Sequence, residues 1–124
     1  MNKIHHLAAY ALLAAGLSLA PFGTAWSHAF PDHESPGAGA QLATPPASVR
    51  IRFNGDIEPV FSTLRVTDAH GRQIAKAAAA KKRSDPKLLE VKLPKLAPGS
   101  YHVWWSVVAR DGHHTEGDYT FTVQ

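Results

Sequence analysis

No cysteine occurs anywhere in the 124 residues. Disulfide frameworks, thiolate metal sites and dithiol redox pairs are therefore excluded, and any metal must be held by nitrogen and oxygen. Methionine is nearly absent too, its single occurrence being Met1, so a soft thioether site is not available. A large excess of one charge is also lacking, with 13 Lys and Arg against 10 Asp and Glu, a formal net charge of +3. The compact basic run, Lys81-Lys82-Arg83, has no interleaved aromatics and no recognisable reading helix. It reads as a solvated loop, and nucleic acid is not an expected partner. Finally, the apolar stretch from Leu7 to about Ala20 is shorter than the roughly 18 residues a spanning helix needs.

What is present is ordinary for one globular domain. Hydrophobic residues at 44% and charged residues at 19% permit a packed core and argue against a disordered chain. The length leaves room for one core beside a removable leader. Residues 1–27 have the parts of a secretory signal peptide: Lys3 in a short first region, the apolar stretch, then Pro21-Phe22-Gly23 and small residues. Ala25-Trp26-Ser27 supplies the small side chains wanted around a cleavage site and sets the cut before His28, leaving 28–124 as the mature domain. A cut after Ala25 is the alternative. His5 and His6 go with the leader.

The mature part reads as strands. Pro36 to Pro46 is rich in Pro, Gly and Ala and is expected as a loop. Val49, Ile51 and Phe53 then alternate with Arg50 and Arg52, the period of a strand with one buried face. A second strand is expected from about Phe61 to Thr67, turning at Asp68-Ala69-His70-Gly71 into Gln73 to Ala75. Leu89, Val91 and Leu93 mark another. The longest, Tyr101 to Ala109, sets Tyr101, Val103, Trp105 and Val107 on one face and His102, Trp104, Ser106 and Val108 on the other. The last runs from about Gly117 to Val123. Short strands, frequent turns and no convincing helix predict an all-β, antiparallel Greek-key sandwich or barrel. Trp105, Phe53, Phe61, Tyr101 and Phe121 are its expected core aromatics, and the Tyr101 hydroxyl is expected to close a corner onto nearby backbone.

Two features carry chemistry. An N-terminal histidine offers two nitrogens on one residue, an α-amine and an imidazole, which together chelate a borderline ion such as copper(II). Asp111-Gly112-His113 offers a carboxylate and a second imidazole, with a glycine between them to relax the backbone. His28, Asp111 and His113 are thus the expected metal ligands, a plane of three nitrogens and one oxygen suited to copper(II). His33, Asp56, Glu58 and Glu116 are candidates to assist, Glu116 by accepting the imidazole N–H of His113. His114 is expected to turn away from His113, and His70 and His102 to be peripheral. Phe30 and Trp104 could shield the ion or form a partner surface, although an exposed aromatic on a sandwich is common and needs no function.

These residues, with Ser35-Pro36, Gly39, Val49 to Phe53, Phe61-Ser62, Pro98 to Tyr101, Trp105, Val107 to His113, Gly117 and Phe121, resemble the copper resistance protein C (CopC) family over nearly the whole mature chain. The resemblance implies a periplasmic immunoglobulin-like or cupredoxin-like β domain that binds copper(II) through the N-terminal histidine, an aspartate and a second histidine, here His28, Asp111 and His113. It implies a monomeric carrier or buffer in copper homeostasis, not an enzyme. The expected partners are the copper ion and a membrane copper importer or another periplasmic copper protein. Two departures matter. Phe53-Asn54-Gly55 has a glycine where some members carry a glutamate near the metal, and the methionine-rich loop of other members is missing. Two other readings compete: an oxidative copper enzyme, since the N-terminal chelate resembles the histidine brace of polysaccharide monooxygenases, and a metal-free periplasmic interaction module.

Overall fold

A computed structural model describes residues 28–77 and 85–124. The expected leader, residues 1–27, and the stretch 78–84 with its basic run lie outside the described residues.

The described chain forms eight strands and a single 3₁₀ turn: β1 (Pro31–Ser35), β2 (Gln41–Leu42), β3 (Ser48–Phe53), the turn Pro59–Phe61, β4 (Thr63–Asp68), β5 (Gln73–Ala77), β6 (Leu88–Lys92), β7 (Gly99–Val108) and β8 (His114–Val123). One sheet has the order β1-β3-β6 and the other β2-β8-β7-β4-β5. All pairings are antiparallel except β2 with β8, which is parallel. The chain crosses from β3 to β4, returns from β5 to β6, and crosses again into the β7–β8 hairpin, the Greek-key wiring of a sandwich.

Alternation in the sequence becomes the two inner faces. Val49 and Ile51 of β3 lie opposite Val91 and Leu89 of β6, while Leu64 and Val66 of β4 lie opposite Trp105 and Val103 of β7. All of these are buried. Phe53 meets the edge of the Trp105 indole at 5.4 Å between ring centroids, and Tyr101 stacks on Phe121 at 5.5 Å. Each such side chain contributes roughly 1.5–3 kcal/mol on full burial. The Tyr101 hydroxyl donates to the Ala97 carbonyl at 2.5 Å, closing the expected corner. Gly117 sits opposite Trp105 in the β7–β8 ladder, where a Cβ would lie 2.6 Å from the indole. The ring occupies the space a side chain would need.

Phe61 is a correction. It is 67% exposed, not a core aromatic. With Leu64 and Val66 facing inward, strand parity sends position 62 in and position 61 out, and Pro59 opens a 3₁₀ turn that delays the strand to Thr63. Ser62 fills the inward position because its hydroxyl donates to the Glu58 carbonyl at 2.7 Å and accepts the Val108 N–H at 3.3 Å. The proline- and glycine-rich loop also contains β2, and β1 forms from Pro31–Ser35, which lack a clean alternation. β8 begins at His114, earlier than its apolar pattern indicates.

Candidate metal centre

One end of the sandwich gathers the residues that follow the expected cleavage point and the β7–β8 loop. Ala29 is fully buried, and its carbonyl accepts the Thr115 hydroxyl at 2.6 Å across 86 residues of sequence. The Phe30 N–H donates to Asn54 Oδ1 at 3.0 Å, and its carbonyl accepts the Asn54 N–H at 2.9 Å. Residues 29 and 30 are therefore clamped between β8 and the end of β3, which fixes where His28 projects. Sequence reasoning assigns an anchoring role to neither Asn54 nor Thr115. No local pattern marks either residue as an anchor.

The β7–β8 loop is closed by Ala109 N–H to the His113 carbonyl and Gly112 N–H to the Ala109 carbonyl, both at 2.8 Å. Gly112 has φ of 89°, a conformation that favours glycine. Asp111 turns back on the loop: Oδ1 accepts the His113 N–H at 3.0 Å, and Oδ2 lies 2.6 Å from His113 Nδ1. The 56–58 segment braces it from the side. Ile57 bridges Ala109, the Glu58 N–H donates to the Val108 carbonyl at 2.8 Å, and the Arg110 N–H donates to the Asp56 carbonyl at 3.1 Å.

The result brings His28, Asp111 and His113 together. One ligand atom from each lies within 4.8 Å of the others, and the two imidazole centroids are 4.3 Å apart with their planes tilted by 55°. Donors this close, from two imidazoles and a carboxylate, can converge on one ion, and a free His28 amine would add a third nitrogen. The His113 side chain is 62% exposed, which leaves the group open for an ion to enter and leave.

The candidate helpers do not join this group. Asp56 and Glu58 face Arg110 at 3.5 and 4.0 Å. Glu116 stands 3.9 Å from His114 Nε2, on the side of His114 rather than of His113. His114 turns away as expected, 2.7 Å from the Ser106 hydroxyl. His33 is on β1 beside Arg50 and Arg52. His102 stacks on Trp104 at 4.0 Å and pairs with Asp118, so both rings belong to the outer face of the larger sheet, not to the metal group. His70 lies in the β4–β5 turn at the opposite end.

Comparison with known proteins agrees with this architecture. Residues 32–124 match the family model described as the CopC domain. The chain belongs to the CopC family. CopC from Methylosinus trichosporium OB3b superposes with a TM-score of 0.72 at 39% identity, covering 78% of this chain and 94% of that one. The methionine-rich copper resistance protein PcoC of Escherichia coli gives 0.65 at 28% identity, covering 78% and 99%. By sequence, the chain is 31% identical over 101 residues to the copper transport protein CutJ of Bacillus subtilis. That stretch is 81% of this chain but only 19% of CutJ. The match begins at Asp32, so His28 lies just ahead of it.

Proposed function

We propose that this CopC protein, once cut before His28, binds one copper(II) ion through the His28 amine and imidazole, the Asp111 carboxylate and the His113 imidazole. It serves as a periplasmic carrier or buffer, exchanging the ion with a copper transport protein of the membrane or another periplasmic copper protein. The observation that carries this reading is the convergence of donor atoms from His28, Asp111 and His113 within 4.8 Å, from segments far apart in the sequence. Family membership points to copper. The oxidation state follows from the donors: nitrogen and oxygen suit copper(II), and Met1, the sole methionine, belongs to the expected leader. No turnover is needed, and a carboxylate within the plane leaves little open coordination for oxygen.

The test is intact mass spectrometry of the exported protein with and without copper(II), followed by titration of two chains, one starting at His28 and one with an added methionine before it. The expected outcome is a mature terminus at His28, one copper per chain, and strongly reduced affinity in the extended chain. Equal affinity in both would remove the amine from the ligand set.

A further inference from the structure

We propose that the end of the sandwich bearing His28, Asp111 and His113 is a docking face, and that Phe30, Val60 and Phe61 form its apolar pad for the ion-exchanging face of a copper transport protein. The inference rests on the copper reading above and names the surface through which that site exchanges its ion.

Among the described residues, the exposed large hydrophobics are Phe30 at 46%, Val60 at 65% and Phe61 at 67%. Single exposed apolar side chains are common on soluble domains, but their segregation to one end is not. Phe30 follows the metal group directly and is tied to Asn54. Val60 and Phe61 lie on the 3₁₀ turn that follows Ile57 and Glu58, whose backbone pairs with Ala109 and Val108 just ahead of the Asp111 loop. The outer sheet faces expose mainly polar side chains by contrast: Arg50, Arg52 and Glu90 on one, Thr63, Glu116 and Asp118 on the other, where Trp104 is covered by His102 and Arg65. Position 61 is an outward register position like 63, which holds threonine. Two thirds of the Phe61 surface stays in solvent, so folding gains little from a phenylalanine there.

The arginine at this end is already paired. Arg110 lies between Asp56 and Glu58, at 3.5 and 4.0 Å, which neutralises the cation beside the donors. Paired charge next to exposed aromatic and aliphatic side chains matches the make-up of a protein contact, apolar at its centre with charge at the rim. The occupant follows from coordination chemistry. An ion passes directly between proteins only if incoming donors reach it while the outgoing ones still hold it, so the receiving protein must touch this end. A second copy pressed face to face would instead enclose the ion. In CutJ, the stretch similar to this chain is 19% of the protein, so a copper transport protein carries such a domain beside a much larger remainder.

The test places the photo-crosslinking residue p-benzoylphenylalanine at Phe61, at Val60, or at His70 on the opposite end, in the full chain in its native host. Copper-dependent crosslinks from positions 60 and 61, but not from 70, to a copper transport protein identified by peptide sequencing are expected. Crosslinks to a second copy of the chain, equal capture from all positions, or none from 60 and 61 would overturn the proposal. In parallel, a Val60→Ser/Phe61→Ser chain loaded with copper(II) is expected to keep the affinity of the parent. It should release its ion to host membranes about tenfold more slowly, the effect of losing two contact anchors. An unchanged rate, or lost copper affinity in the variant, would also overturn it. Absence of copper binding by the parent chain is a different result and would strike the metal reading instead.

Discussion

Thr115 and Asn54 show how residues outside a candidate metal group can decide how it is assembled. Neither offers its side chain to the His28, Asp111 and His113 group, yet each holds the short segment that aims His28 at its partners. Thr115→Val keeps the shape of the side chain and removes the donor to the Ala29 carbonyl. A net hydrogen bond is worth about 1 kcal/mol, so the copper(II) dissociation constant should rise about fivefold. The visible spectrum should not change, because the donors are the same. His113→Ala, in contrast, should change the spectrum as well as the affinity. Chelator competition and absorption spectroscopy on the two variants separate aiming from ligation, and a shifted band in Thr115→Val would refute the aiming role.

At the scale of elements, the β7–β8 ladder depends on a missing side chain. Gly117→Ala would drive a methyl to within 2.6 Å of an indole already locked against Phe53. Overpacking of this kind costs about 1–3 kcal/mol, and a urea titration should show the midpoint fall accordingly. The same hairpin shows how far the sequence could be read. Tyr101, Val103, Trp105 and Val107 announce their strand by strict alternation, and Asp111-Gly112-His113 announces its loop by residue type alone. β1 was not legible, because Pro31–Ser35 has mixed burial and is held by backbone pairing to β3 with an irregularity between Pro31 and His33. Phe61 misled because aromatic character argued for burial while parity argued against it. That His28, Asp111 and His113 come together could be expected from sequence, but the anchors could not, since Thr115 and Asn54 act on backbone atoms of a segment far away in the chain.

Over the whole molecule, stability without cysteine rests on one apolar core, and Tyr119 is its least settled member. Its hydroxyl is buried with no hydrogen-bond partner among the described residues. Burial, and then the negative charge of Glu34, push its pKa well above the usual tyrosine value. The unfolded chain gives up this proton near pH 10 while the folded one retains it, so deprotonation favours unfolding. Stability from this group is complete below about pH 10 and declines as the solution becomes more alkaline. Tyr119→Phe should remove that part of the alkaline decline and leave stability at neutral pH unchanged or raised, because an unpaired buried hydroxyl is lost. Thermal melts of parent and variant at pH 8 and about pH 10.5 provide the comparison; identical alkaline slopes would count against it.

The sealed position of Ala29 has a bearing on wear. An aminopeptidase must draw the first peptide bond and the residue beyond it into its cleft, and were the chain cut before His28 that residue would be Ala29, packed in the core with its carbonyl engaged by Thr115. A chain beginning at His28 thus offers trimming enzymes almost no slack, and its leading histidine is guarded by the fold behind it.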